Sequence, residues 1–235
     1  SAEGPRVWAW RLDGVDSRPL GGTEGVTSAP AWSPDGQHIA FVSGGKLRRI
    51  PSAGGPVDTI CALAPDATFD WGTDGTLLLA AGGQEPIRRV AADAGDTVRQ
   101  ITRLYPDEQH ELPKFIPGVR RFLFFVRADA LRQGMWVGSL DGGMGQRLIP
   151  EATAAVVAGD FIVYALQHLV IGQRFDRETL TISGAPVTLA DRVRTASATA
   201  RPAYDASAGA KALFVYQADD RTLHLTTAWT ALVPR

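Results

Sequence analysis

The sequence predicts an all-β chain assembled from repeated four-stranded antiparallel sheets, and three observations carry that prediction. A unit of about 40 residues recurs along the 235-residue chain. Each unit is a series of short β-branched or aromatic segments separated by Gly, Pro, Asp and Ser. The 25 glycines and 15 prolines interrupt every stretch in which a helical period would otherwise develop.

The first unit is read most easily from "APAWSPDGQHIAFVSGGKLRRIPSAGG". Trp32 closes an aromatic first strand, "HIAFV" is the second, "KLRRI" the third and "VDTICAL" the outer strand. Ser33-Pro34-Asp35-Gly36 between the first two is expected to be a tight turn. Proline presets φ, Asp bonds back to nearby N–H groups and Gly tolerates positive φ. A nucleophilic role for Ser33 is not expected, because the G-x-S-x-G elbow is absent. Ser33→Ala is therefore expected to cost little, and Trp71→Ala several kcal/mol.

The second unit repeats the pattern in "FDWGTDGTLLLAAGGQEPIRRVAADAG", with Trp71 at the position of Trp32, Asp74-Gly75 at the turn and "VRQITRL" as outer strand. In the third, "PKFIPGVRRFLFFVRADALRQGMWVGSLDGG", Phe115 takes the aromatic position and Pro117-Gly118 the turn. The fourth, "VVAGDFIVYALQHLVIGQRFDRETLTISG", keeps a Gly-Asp turn before an apolar run. The fifth, "RPAYDASAGAKALFVYQADDRTLHLTT", has Tyr204 at the aromatic position.

At the amino end, "RVWAWRLDGVDSRPLGGTEG" reads as third and outer strands without a first pair before them. A ring closed with strands from both termini removes exposed sheet edges. The expected architecture is thus a β-propeller of five blades, with six as the alternative. The end segments supply one strand too many for a single blade. One domain is expected over 1–231, with "LVPR", Leu232 to Arg235, set apart as the remnant of a cleavable tag.

The "W-S-P-D-G" and "W-G-T-D-G" segments resemble the WD40-like repeat of TolB-type propellers. The longer pattern "RPLGGTEGVTSAPAWSPDGQHIAFVSGGKLRRIPSAGGPVDTIC", with "HELPKFIPG" and "VGSLDGG", resembles the C-terminal sensor propellers of bacterial membrane-anchored serine/threonine kinases, those of acidobacteria above all. That resemblance implies an extracytoplasmic, non-catalytic domain that binds a small ligand, peptide or protein at one mouth of the propeller channel. Kinase catalytic signatures are absent from this sequence. A TolB-like interaction scaffold is the alternative, and a glycoside hydrolase the less favoured one.

A formal net charge of −1 gives no long-range attraction for nucleic acid or an anionic membrane. The longest apolar runs fall short of a membrane span, so any membrane link is expected from a segment outside this sequence. The single Cys61 is read as a packed structural thiol. No cofactor and no metal are expected, and the isolated domain is expected to be monomeric.

Ligand contacts are expected from loops entering the first strands, joined at the mouth by loops following the second strands. The entering loops carry Glu24, Asp66, Asp70, Glu108, His110, Glu111 and Arg201. The cluster Asp107 to Glu111 is read as a solvated loop with ligand-binding capacity. Glu24 and Glu111 are the carboxylates that a hydrolase would use. His38, His168 and His224 are read as lying in strands. Trp32 and Trp71 are expected to share a packing role, while Trp8, Trp10, Trp136 and Trp229 fall in third or outer strands, where packing between blades is favoured over a partner surface. Lys46, Arg48, Arg49, Arg88 and Arg89 form a basic strip read as a solvated face.

Overall fold

A computed structural model describes residues 4–10, 17–93, 97–191, 193, 204–206, 212–216, 223–227 and 229–233. Two compact units divide the chain, Ser1–Leu104 and Tyr105–Arg235.

In the first unit, β1 (Trp8–Trp10) pairs antiparallel with β2 (Ser17–Pro19). A four-stranded meander follows: β3 (Ala31–Trp32), β4 (His38–Ser43), β5 (Lys46–Pro51) and β6 (Asp58–Ala62). The next meander is β7 (Thr68–Trp71), β8 (Thr76–Ala80), β9 (Arg88–Ala91) and β10 (Arg99–Gln100). First strands β3 and β7 lie side by side. Because side chains alternate along a strand, β4 feeds two cores. Ala40 and Val42 pack with Leu47, Leu77, Leu79 and Val90, whereas Ile39 and Phe41 pack with Val7, Leu20 and Ile50. Each buried Leu, Val or Phe contributes about 1.5–3 kcal/mol. A sheet covered on both faces explains the nearly unbroken apolar run of β4. Cys61 is buried in the first of these cores, as expected.

The second unit begins with β11 (Gln109–Phe115), β12 (Arg121–Arg127), β13 (Gly134–Ser139) and β14 (Gln146–Ile149). A further meander is β15 (Ala154–Ala158), β16 (Phe161–Leu166), β17 (Leu169–Asp176) and β18 (Thr181–Ala190). The last sheet has three strands, β19 (Tyr204–Ala206), β20 (Ala212–Tyr216) and β21 (Leu223–Thr227), followed by a 3-10 turn, Trp229–Leu232. First strands are again neighbours, β11 beside β15 and β15 beside β19. Leu123, Phe125, Met135 and Val137 pack against Ala155, Val157, Ile162 and Tyr164. The Tyr204 hydroxyl lies 3.1 Å from the Ala154 carbonyl and 3.2 Å from that of Val163, tying the last sheet to the one before it. Among the described residues the sheet nearest the carboxy end has three strands and the one nearest the amino end two.

The turns follow their local chemistry. Ser33 N–H donates to His38 O at 2.9 Å, His38 N–H to Ser33 Oγ at 2.8 Å, and Gln37 N–H to Asp35 Oδ1 at 2.9 Å. Gly36 takes φ 70°, which a side chain would strain. The second repeat reproduces this, with Thr76 N–H donating to Asp74 Oδ1 at 3.0 Å and Gly75 N–H to Gly72 O at 3.1 Å. In the third, Ile116 N–H donates to Arg121 O at 3.0 Å around Pro117-Gly118, with Phe115 half-buried opposite Phe122.

Several expectations need correction. Trp32 is 57 % exposed, while Trp71 packs against the core of its unit, so the repeat position does not impose a shared packing role. Ser33 is buried and holds the turn through its side chain, so its replacement is not cheap. Trp229 belongs to the 3-10 turn rather than a strand, and is buried against Phe161. Val233, within the residues set apart as a tag remnant, is buried in the same cluster. His168 sits exposed in the hairpin between β16 and β17. Trp8 is 52 % exposed, against the packing role favoured for it.

Candidate functional site

The residues entering β11 do not form a solvated loop. Asp107 is exposed with a left-handed φ of 63°, and the chain then turns inward, burying both Glu108 and His110. Glu108 Oε2 accepts the Tyr105 N–H at 3.0 Å, while Oε1 is bonded by Arg132 Nε. The two carboxylate oxygens are therefore occupied by a turn and by a guanidinium from the loop between β12 and β13. A buried carboxylate requires such partners.

His110 Nε2 lies 3.6 Å from Glu108 Oε2, and its ring meets Phe124 edge-on at 4.9 Å. Burial lowers its pKa to about 4, against the opposing pull of Glu108. The imidazole is neutral at pH 7 and has almost no contact with water. The pair thus serves as an internal anchor, without solvent access for proton transfer.

What the anchor holds is Arg132. Its guanidinium lies 4.2 Å from the Tyr105 ring centroid and 5.1 Å from that of Trp136, within cation–π range of both. Trp136 Nε1 donates to Arg132 O at 2.8 Å. The loop itself is fixed twice more: Asp129 Oδ1 accepts from Leu131 and Arg132 N–H groups, and Arg147 bonds the carbonyls of Ala130, Leu131 and Gln133. Leu131 on this loop is 82 % exposed, and Met144, in the connection between β13 and β14, is 81 % exposed with its Sδ 3.3 Å from the Tyr105 hydroxyl. Aromatic, Met and Arg side chains are those enriched in protein interfaces.

Glu111 is in β11 rather than a loop. A bulge follows it, with Leu112 at φ 53°. Bulges re-aim neighbouring side chains. Here Glu111 receives Arg127 in a two-pronged pair at 3.0 and 3.1 Å. His110 and Glu111, adjacent in sequence, consequently serve opposite environments, one interior and one partly solvated.

The other expected residues do not join this group. Glu24 is exposed in the first unit beside Arg6, 3.6 Å away, and backbone hydrogen bonding keeps its pKa below the ordinary value. That direction is opposite to what a general acid needs. Asp66 is exposed in the turn before β7, and Asp70 lies within β7, opposite Leu78. Arg201 lies outside the described residues. No cluster of three or more metal-ligating side chains occurs among the described residues. Sequence reasoning missed Arg132, Arg127 and Tyr105, and read Trp136 only as a third- or outer-strand packing residue. The available signal was the loop after the second strand, "RADALRQGMW", which carries two arginines and a tryptophan.

No family model and no curated protein matches the chain. Solved structures match it over nearly its full length. A putative TolB from Agrobacterium tumefaciens aligns with a TM-score of 0.65 at 17 % identity, covering 91 % of this chain and 81 % of that one. A gluconolactonase from Xanthomonas campestris gives 0.64 at 13 %, over 95 % and 79 %. The Cps50 (Swd1) β-propeller domain of Myceliophteria thermophila gives 0.57 at 11 %, over 94 % and 76 %. The class these sheets define is the β-propeller, of about five blades. The fold does not decide function, since one of these neighbours is an enzyme.

Proposed function

We propose that this chain is a non-catalytic binding propeller that docks a protein partner over Tyr105, Leu131, Arg132 and Met144, and that it is the extracytoplasmic sensor of a bacterial membrane-anchored serine/threonine kinase. The observation that carries the binding reading is Arg132, held between two aromatic rings by a buried carboxylate beneath two highly exposed apolar side chains. A pre-organised arginine with aromatic neighbours loses little freedom on binding. The kinase attachment rests on the resemblance of the W-S-P-D-G repeat region to such sensors. Likeness to a TolB structure over most of the chain favours a second reading, an interaction scaffold without signalling output.

The test uses the full natural protein carrying Leu131→Asp and Met144→Asp. Both variants should fold normally, because surface changes stay within about 0.5 kcal/mol, yet lose partner capture and any partner-dependent change in autophosphorylation. Retained capture in both variants overturns the docking surface. A natural protein without a kinase segment overturns the receptor version and leaves the scaffold.

A further inference from the structure

Within the basic strip of the first unit Lys46 is exposed, but the arginines are not fully solvated. Arg48, Arg49, Arg88 and Arg89 are half-buried, and the Nε atoms of the first three are covered without a hydrogen-bond partner. Arg49 reaches Asp58 at 3.5 Å. Arg88 carries no hydrogen bond or ion pair among the described residues, and its Nε is covered.

Arg88 lines an open depression of about 480 Å³. Its other walls are Gly45 in the turn between β4 and β5, Ala62 to Ala64 on the way to β7, and Ala81, Gly82 and Glu85 between β8 and β9. Small side chains create the room. A Cβ placed on Gly45 or Gly82 would meet nothing within 4 Å. Glu85 is exposed and lines the same depression, and like Arg88 it forms no ion pair among the described residues. The depression therefore offers, among the described residues, one cation and one anion without an ionic partner beside an apolar wall of Leu63 and alanines.

A simple anion drawn to Arg88 would face Glu85, and a simple cation drawn to Glu85 would face Arg88. A ligand bearing both charges satisfies the pair. We propose that this depression binds a small zwitterion of the amino-acid class, with its carboxylate on Arg88, its ammonium on Glu85 and a short apolar side chain against Leu63. The guanidinium fork suits a carboxylate in particular. The proposal rests on the first unit alone and does not depend on the docking surface around Tyr105.

Calorimetric titration of the 235-residue chain with glycine, L-alanine, L-leucine, acetate and ethylammonium tests it. Alanine or leucine should bind with a Kd of about 1 mM or tighter, and acetate and ethylammonium at least about tenfold more weakly. Arg88→Gln should weaken binding at least about tenfold, and Glu85→Gln should narrow the gap between alanine and acetate. Ala64→Trp, a surface change that fills the depression, should block binding without moving the thermal midpoint. It keeps the test decisive if Arg88→Gln fails to fold. No saturable binding of any zwitterion, acetate binding as tightly as alanine, or unchanged affinity in Ala64→Trp overturns the proposal. Leu131→Asp should leave the titration unaltered, so failure here and failure of the docking surface are separable.

Discussion

Glu108 and Arg132, far apart in sequence, form an ion pair in which the glutamate side chain is 1 % exposed and the arginine side chain 37 % exposed. The asymmetry lets the anion fix the cation from below while the cation faces outward. It also makes the two partners unequal under mutation.

Arg132→Ala leaves a buried carboxylate without its counter-charge, so a loss of about 2–4 kcal/mol is expected. Glu108→Gln keeps an acceptor for the Tyr105 N–H and should lose less, about 1–2 kcal/mol. Urea denaturation of the singles and the double measures the coupling. An additive double variant would show that the pair contributes no mutual stabilisation.

His110 gives a pH dependence of definite sign. Its folded pKa of about 4 lies below the ordinary 6.5, so the unfolded chain binds more protons between these values. Its stabilising contribution is complete above pH 6.5 and is lost as pH falls toward 4. Glu108, Arg132 and Phe124 are the groups that face the ring. His110→Asn should flatten the slope of stability against pH across that window. An NMR titration showing the imidazole half-protonated near its ordinary value would contradict the burial.

The first turn ranks three substitutions. Ser33→Ala removes the acceptor of the His38 N–H and should cost about 1–2 kcal/mol. Trp32→Ala, at an exposed site, should stay within about 0.5 kcal/mol. Trp71→Ala, against the core, should cost more than either, about 2–3 kcal/mol. Thermal denaturation gives the order, and equal shifts for the two tryptophans would contradict their different surroundings.

Gly134 opens β13 at φ 135°, and a Cβ there would come within 2.6 Å of the Ile149 and Pro150 carbonyls. Backbone cannot yield as a flexible side chain does. Gly134→Ala should destabilise the second unit by about 3 kcal/mol or more. Tryptophan fluorescence should show Trp136 losing its fixed surroundings at lower urea than in the parent chain.

Much of the fold was legible because its signals are local. Turn chemistry fixes Ser33 to Gly36 and Gly72 to Gly75 within four residues, and the run of β4 betrays a sheet covered on both faces. The exposure of Trp32 was not legible, since strand and repeat position are shared with Trp71 and only the surrounding chain differs. Glu108 and His110 failed for the same physical reason. A polar run reads as solvated until a distant guanidinium and a phenylalanine are brought against it, and neither stands near it in sequence. The bulge at Leu112, which separates His110 from Glu111 in environment, has no glycine to announce it.

Cys61, the only thiol of the chain, is 3 % exposed in the sheet of β3 to β6. An aqueous disulfide reagent can reach it only when that sheet opens, so the rate of labelling under native conditions is a clock for opening in the first unit alone. Run with and without alanine, the same clock reads whether an occupied depression slows the breathing of its own walls. No engineered reporter has to be added to read it.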